Sequence, residues 1–378
     1  MSLAREFENL FGVKPDLITE APGRVNLIGE HVDYNQGLVL PFAIDSTTKC
    51  AIRERNDEKI LISSKQLGEP VFEIELSKLS PKSGPDWTRY FLGVIWSLGI
   101  SRGVEILIDS DVPQGAGLSS SAALECSIAL ALNELFGLEI SRVELAQLTQ
   151  RAENDYVGVP CGIMDQTISL LGKSGNALLI DCRDLSTQQI PLNLESHGLQ
   201  LLVVDTRAHH ALVDGGYAKR RLQCEEVAKF FNLKSLRDLS IEQLKSQENE
   251  LEPILYRRAR HVVTEIGRVQ SAIKLLQVED FTSLGETLNQ SHESLRDDYE
   301  VSCPELDCAV RVARATGALG ARMVGGGFGG SAIALVKSGE AGSIANAIER
   351  SFSESSFKSP RFFSAIPSDG ARLIDRSN

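Results

Sequence analysis

Apolar and polar positions along the 378 residues alternate in short blocks, and the blocks switch between a period near two and a period near 3.6. Leu3, Phe7, Leu10 and Phe11 recur at helical spacing and predict an amphipathic helix at the start. Between 38 and 76 the stretches GLVLPFAI, KCAIRER, KILISS and VFEIEL read as strands. WTRYFLGVIWSL (87–98) reads as a buried helix, and GVEILIDSDVP as a strand that stops at Pro113. A Gly-Ser turn then runs into a long apolar helix, QGAGLSSSAALECSIALALNELFG. The following helix opens at the capping box Ser141-x-x-Glu144 and carries AENDY in its last turns. A turn over 158–162 leads to MDQTISLLG and the strand NALLIDC.

The pattern changes near residue 195. LQLLVVDT is a strand, after which helices dominate over 217–232, 255–276, 280–296 and 304–316. ARMVGGGFGGSAIALV then reads as strand, glycine turn and strand, followed by a helix at 342–352 and the strand RFFSAI. No repeat or low-complexity linker interrupts the chain. Two α+β domains in close contact are predicted, 1–195 and 196–378, with the tail over 360–378 free to pack with either.

Charge narrows the function. Acids outnumber bases 51 to 39, a net charge of −12, which disfavours a nucleic-acid binder but leaves room for a local basic pocket. Seven cysteines, an odd number with no C-x-x-C pair, read as reduced thiols of a cytoplasmic protein. The start has no long apolar h-region, and no run reaches membrane-spanning length.

Three segments carry candidate chemistry. In PQGAGLSSSAALE (113–125), Gly115 and Gly117 let the backbone turn tightly, and the helix that follows presents unpaired N–H groups and a positive dipole end. Three successive serines add hydroxyl donors there, more than one N-cap requires, so the segment is a seat for polyphosphate. It is neither a Walker A loop nor G-x-G-x-x-G, and the protein-kinase marks H-R-D and D-F-G are absent. In AENDYVGVPCGIMDQ (152–166), Glu153 and a serine hydroxyl are the hard oxygen pair that Mg²⁺ takes beside phosphates, and Asp165 could receive or hold a substrate proton. Taken alone, that segment reads more readily as a helix-end acid followed by an acid capping the next helix. In GARMVGGGFGGSAIAL, five glycines in six positions around Phe328 point to a backbone passing close to a ligand or to another loop. His209 and His210 are adjacent, so they do not share a helix face as a metal pair would.

These segments, in this order, resemble the GHMP small-molecule kinases. GRVNLIGEHVDYNQG is similar to the sugar signature of the galactokinase family, and VPCGIMDQTISLLGKSGNALLIDCRDL and YAKRRLQCEEVAK resemble the same family. The likeness runs from about residue 20 to 330. It implies a two-domain α+β GHMP kinase fold: an N-terminal ribosomal-protein-S5-domain-2-like domain, a C-terminal ferredoxin-like domain, and the active site in the cleft between. It implies ATP and Mg²⁺ as cofactors, a hexose as substrate, and a monomer without nucleic-acid or membrane partners. The reaction would phosphorylate galactose at its anomeric hydroxyl, the first step of galactose catabolism.

Position by position, the resemblance places Glu30, His31, Asp33 and Tyr217 on sugar hydroxyls, with Gly162 letting the backbone approach the ring. Gly115, Ala116, Gly117, Leu118, Ser119, Ser120 and Ser121 would hold ATP phosphates, and Ser63 and Trp87 would line the adenine pocket. Ser121 and Glu153 would hold Mg²⁺. Asp165 would be the proton acceptor or electrostatic partner, with Arg24 steadying the developing charge. An N-acetylgalactosamine kinase, an arabinose-type kinase and a non-catalytic sugar sensor are the alternatives. Sensors lose residues from the Ser119-Ser120-Ser121-Ala122 stretch, which is complete here.

Overall fold

The computed structural model describes residues 2–209 and 215–376, so His210 lies outside the described residues. The chain opens with α1 (Leu3–Phe11), β1 (Leu17–Asn26), β2 (Leu38–Val39), β3 (Pro41–Glu54), β4 (Lys59–Ser64), β5 (Phe72–Glu75), α2 (Arg89–Ser97) and β6 (Val104–Ser110). Then come α3 (Ser120–Phe136), α4 (Arg142–Arg151), a π-helix (Ala152–Val157), α5 (Met164–Leu171), β7 (Asn176–Asp181) and β8 (Thr187–Pro191). The remainder is β9 (Leu199–His209), α6 (Gly216–Phe230), α7 (Ile241–Ser246), α8 (Pro253–Gln277), α9 (Phe281–Asp297), α10 (Pro304–Ala315), β10 (Gly320–Val324), β11 (Gly329–Lys337), α11 (Ala341–Glu354), β12 (Arg361–Ala365) and β13 (Arg372–Arg376).

Three sheets organise these elements. A six-stranded sheet has the order β13-β1-β3-β6-β4-β5, a four-stranded sheet the order β10-β11-β9-β12, and β2-β7-β8 form a small third sheet. All pairings are antiparallel except β4 with β6. The closing segment serves two sheets: β12 pairs with β9, and β13 returns to pair with β1.

Helix α3 is apolar all round, and Ala122, Ala123 and the run from Glu125 to Leu132 are buried. Such a helix belongs inside, and it packs against β1, β3, α2, α4 and α5. Helix α1 covers the other face of that sheet, where Leu3 and Phe7 meet Ile18, Ala51 and Leu107. The largest apolar cluster begins at Val25, Leu27 and Ile28 and extends through β9, α8, α10 and β11, so both sides of residue 195 share one core. Among the described residues, no helix is long and apolar enough to cross a membrane.

Four features differ from the pattern reading. AENDY does not continue α4 as an α-helix; it widens into the π-helix, which ends at Gly158 with φ 90°. The predicted strands over 38–54 join into β2 and the long β3. β1, not marked as a strand by its mixed composition, is buried at every position. β8 and β13 also lacked a pattern, because β8 buries only Ile190 fully and β13 is exposed throughout.

Candidate active site

β1 runs straight into the signature, and its last turns deliver Arg24 to the interior. The Arg24 backbone N–H donates to Leu118 O at 3.0 Å, fixing the strand to the Gly-Ser loop. Its guanidinium then does two jobs: Nε and Nη2 donate to the two oxygens of Asp165, each at 2.9 Å, and Nη1 donates to Gly117 O at 2.6 Å. This is the planar two-point pairing that a guanidinium makes with a carboxylate. Asp33, the other acid that could have paired with Arg24, does not.

The Gly-Ser loop is built around the same carboxylate. Gly115 and Gly117 both have φ 73°, and Ser119, also left-handed at φ 59°, stands at the N-cap of α3. Its hydroxyl makes no cap bond; it donates to Asp165 Oδ2 instead. The first-turn N–H groups of α3, at Ser120 and Ser121, are therefore left without a side-chain cap, as an anion seat requires. The loop is held from behind by the glycine turn. Ser331 donates to Ala116 O at 2.7 Å, and a Cβ on Gly325 would stand 3.0 Å from Gly117 O. The turn thus passes close to another loop, and its Gly325 and Gly326 also line the cavity described next.

Arg24, Glu30, His31, Asp33, Gly162, Asp165, Tyr217, Gly325 and Gly326 line one cavity of about 500 Å³, closed on one side by the loop from Gly158 to Cys161. Its size suits a small polar ligand. Glu30 is buried, and its Oε1 accepts from Gly325 N–H at 2.8 Å. The fully buried Arg322 stands 3.1 Å from the same oxygen as a charge contact, while its Nη1 donates to Asn26 O and Leu27 O at 2.8 and 3.0 Å.

His31 is in the left-handed region at φ 61°, and both its ring nitrogens are engaged. Nε2 must donate to Gly326 O at 3.2 Å, so Nδ1 accepts from Tyr34 at 2.9 Å. Tyr34 then accepts from Tyr299 at 2.8 Å, and Tyr299 from the Cys224 thiol at 3.1 Å. Burial, then the neighbouring His261, pushes His31 down to about 3, so the ring is neutral. Tyr217 stacks obliquely on it with centroids 5.2 Å apart.

Gly162 and Asp33 are mutually required. A Cβ on Gly162 would fall 1.7 Å from Asp33 Oδ2, so the carboxylate occupies the space a side chain would take. Burial, then the charge of Asp165, pushes Asp33 up to about 7.

Beside this cavity lies a second acidic group. Glu153, on the π-helix, accepts from Gln166 Nε2 at 2.8 Å, from the Cys161 thiol at 3.3 Å and from the Ser121 hydroxyl. Burial, then Asp165, pushes it up to about 7. Glu125, fully buried on α3, faces Glu153, yet neither of its oxygens is aligned with a hydrogen-bond partner. Burial, then the charge of Glu153, pushes Glu125 well above the carboxylate range. Among the described residues, no three His, Cys, Asp or Glu side chains are grouped to cage a metal. A Ser121–Glu153 pair short of positive charge nonetheless fits Mg²⁺, which takes few protein ligands and completes its shell with phosphates and water.

Arg24, Glu30, His31, Asp33, Gly162, Asp165 and Tyr217 thus meet at one cavity, and Gly117, Ser119, Ser121 and Glu153 adjoin it. Ser63 and Trp87 do not line it. Ser63 is buried on β4, and Trp87 sits in the neighbouring apolar cluster, edge-on to Phe72 and Phe91 at 6.4 and 5.9 Å. Residue patterns alone missed Arg322, Tyr34, Tyr299 and Glu125. Only Glu125 left a signal: a lone acid in the apolar run AALECSIALAL.

The family described as GHMP kinases N terminal domain matches residues 89–173, the galactokinase galactose-binding signature matches 5–54, and GHMP kinases C terminal matches 272–354. The Streptomyces coelicolor galactokinase is 46% identical over 99% of this chain and 98% of its own. The Homo sapiens galactokinase is 41% identical over 98% and 95%. Lactococcus lactis galactokinase, solved in complex with galactose, superposes with a TM-score of 0.93 at 36% identity, covering 98% of this chain and 99% of that one. A mevalonate kinase at 20% identity and TM-score 0.64, covering 95% and 100%, shares the fold.

Proposed function

Since this chain belongs to the galactokinase family of the GHMP kinases, we infer that it phosphorylates D-galactose with ATP at the anomeric hydroxyl, giving galactose 1-phosphate. The observation that carries the reading is the seating of Asp165. Three donors, two from Arg24 and one from Ser119, fix its carboxylate at the junction of the sugar cavity and the Gly-Ser loop.

Phosphoryl transfer has a loose transition state, so its catalysis is mostly positioning and electrostatics. Asp165 receives or holds the proton of the attacking hydroxyl, for which its two oxygens, with about four lone-pair sites against three donors, leave a place. Arg24 balances the charge of Asp165 and keeps the Gly117 carbonyl turned away from incoming phosphate. The uncapped N–H groups of α3 and the hydroxyls of Ser120 and Ser121 receive phosphate oxygens. Mg²⁺, held by Ser121 and Glu153, would neutralise phosphate charge when bound.

On the sugar side, Asp33 accepts hydroxyls and Tyr217 donates and accepts. Glu30 offers its second oxygen, and His31 supplies a rigid wall, its nitrogens being already spent. Such a site rejects an epimer because its own polar groups then go unpaired.

A coupled ADP assay over galactose, 2-deoxygalactose, N-acetylgalactosamine, glucose and arabinose tests the reading. Turnover should be highest with galactose and lost with glucose. Equal turnover of N-acetylgalactosamine would move the substrate assignment, and tight galactose binding without ADP release would make the protein a sensor.

A further inference from the structure

We propose that Glu125 is a positioning residue of the metal site, the polar floor that sets how deeply the Glu153 carboxylate enters between α3 and the π-helix. This rests on the reading of Ser121 and Glu153 as the metal pair.

Ser121 and Glu125 are four residues apart on α3, hence stacked one turn above the other on one face. Glu153 reaches across from the π-helix and meets both: it accepts from the Ser121 hydroxyl and abuts the Glu125 carboxyl. Glu125 is 0% exposed in a helix otherwise lined with Ala, Ile and Leu, where an apolar residue would be expected. Burying a carboxyl there is costly, and neither of its oxygens is well aligned with a partner, although Gln166 and Glu153 stand within reach.

The surrounding groups sharpen the point. Gln166 gives an N–H to Glu153, while its own Oε1 is also unpartnered. The Arg24 guanidinium gives three of its five N–H groups to Asp165 and Gly117. As carboxylates, Glu125 and Glu153 would give the cluster more acceptors than donors, and a leucine at 125 would remove that surplus without disturbing the apolar helix. What the carboxyl supplies instead is a polar contact of fixed length beneath Glu153. Outer residues that orient metal ligands in this way commonly change metal affinity by roughly 10–100-fold.

The test compares E125Q, E125D and E125L with E153Q. Mn²⁺ is titrated by electron paramagnetic resonance in the presence of a non-hydrolysable ATP analogue, and galactose binding is measured by calorimetry without nucleotide. The isosteric E125Q should hold Mn²⁺ within about threefold of the parent. E125D, chemically alike but one methylene shorter, should weaken Mn²⁺ roughly tenfold, and E125L at least as much. Galactose affinity should stay within about twofold in all three. Weakening of Mn²⁺ by E153Q but by neither E125D nor E125L would overturn the role of Glu125 alone. No effect from E153Q would overturn the metal pair and the proposal with it. Equal loss of Mn²⁺ and galactose binding in E125D would mark Glu125 as merely structural.

Discussion

Glu30 and Glu153 are both buried carboxylates a short way from Asp165, and their surroundings are opposite. Glu30 is matched: Arg322 supplies a positive charge and Gly325 an N–H, both from the strand and turn of the C-terminal half. Glu153 is unmatched. Its donors are a thiol, an amide and a hydroxyl, and the carboxyls set against it are Glu125 and Asp165. A protein that balances one buried acid and leaves another short of positive charge has separated a structural task from a ligand-binding one. The wall around Glu30 is finished by the fold itself, whereas the side around Glu153 is left short of positive charge, as the proposed seat of a cation and nucleotide would be.

The largest effect is expected where the two regions meet. Asp165→Asn should lower kcat by roughly a hundred- to ten-thousand-fold while galactose affinity, read by calorimetry, changes only a few-fold. Equal losses in both would mean that the cavity itself had collapsed. Next, Arg322→Met leaves Glu30 buried without its charge partner and should cost about 3–5 kcal/mol in urea denaturation. Adding Glu30→Met to that variant should recover much of the loss; no recovery would show that Arg322 acts only through the Asn26 and Leu27 carbonyls.

Gly162→Ala should raise the galactose KM by roughly tenfold, since a 1.7 Å approach forces Asp33 aside. ATP KM should hardly move, and a nucleotide effect of the same size would contradict the separation of the two sides.

At the unmatched acid the sign reverses. Glu153 rises from 4.5 to about 7, so the folded protein keeps a proton that the unfolded chain has released. That contribution is fully present below pH 4.5 and is lost as pH climbs to about 7. Glu153→Gln should therefore stabilise the ligand-free protein by about 1–2 kcal/mol at pH 8 and by almost nothing at pH 4.5. Thermal melts at both pH values decide it. The smallest effect concerns Asp33, which must be a carboxylate to accept two hydroxyls and is pushed up to about 7. Galactose KM should fall roughly three- to tenfold from pH 6 to pH 8, and Asp33→Asn should flatten that profile.

Local chemistry was legible in the chain. The Gly-Ser turn into an apolar helix and the long helices of the C-terminal half form as their patterns require, because each depends on neighbours within a few residues. Edge strands such as β13 escaped, since an exposed strand carries no amphipathic signature. The π-helix escaped too, because the composition over 152–157 reads as a plain continuation of α4.

What the sequence settled by itself is the set of reactive groups and the turns and helix ends that present them. It did not settle who pairs with whom. Arg24 finds Asp165 across 141 positions and not the nearby Asp33, and Glu30 finds Arg322 in the other half of the chain. Electrostatic partners are chosen by distance in space and by burial, and both are fixed only when β1, α3, α5 and β10 close around a common core. For the same reason Glu125 looked like one acid in a greasy helix until Glu153 was set against it.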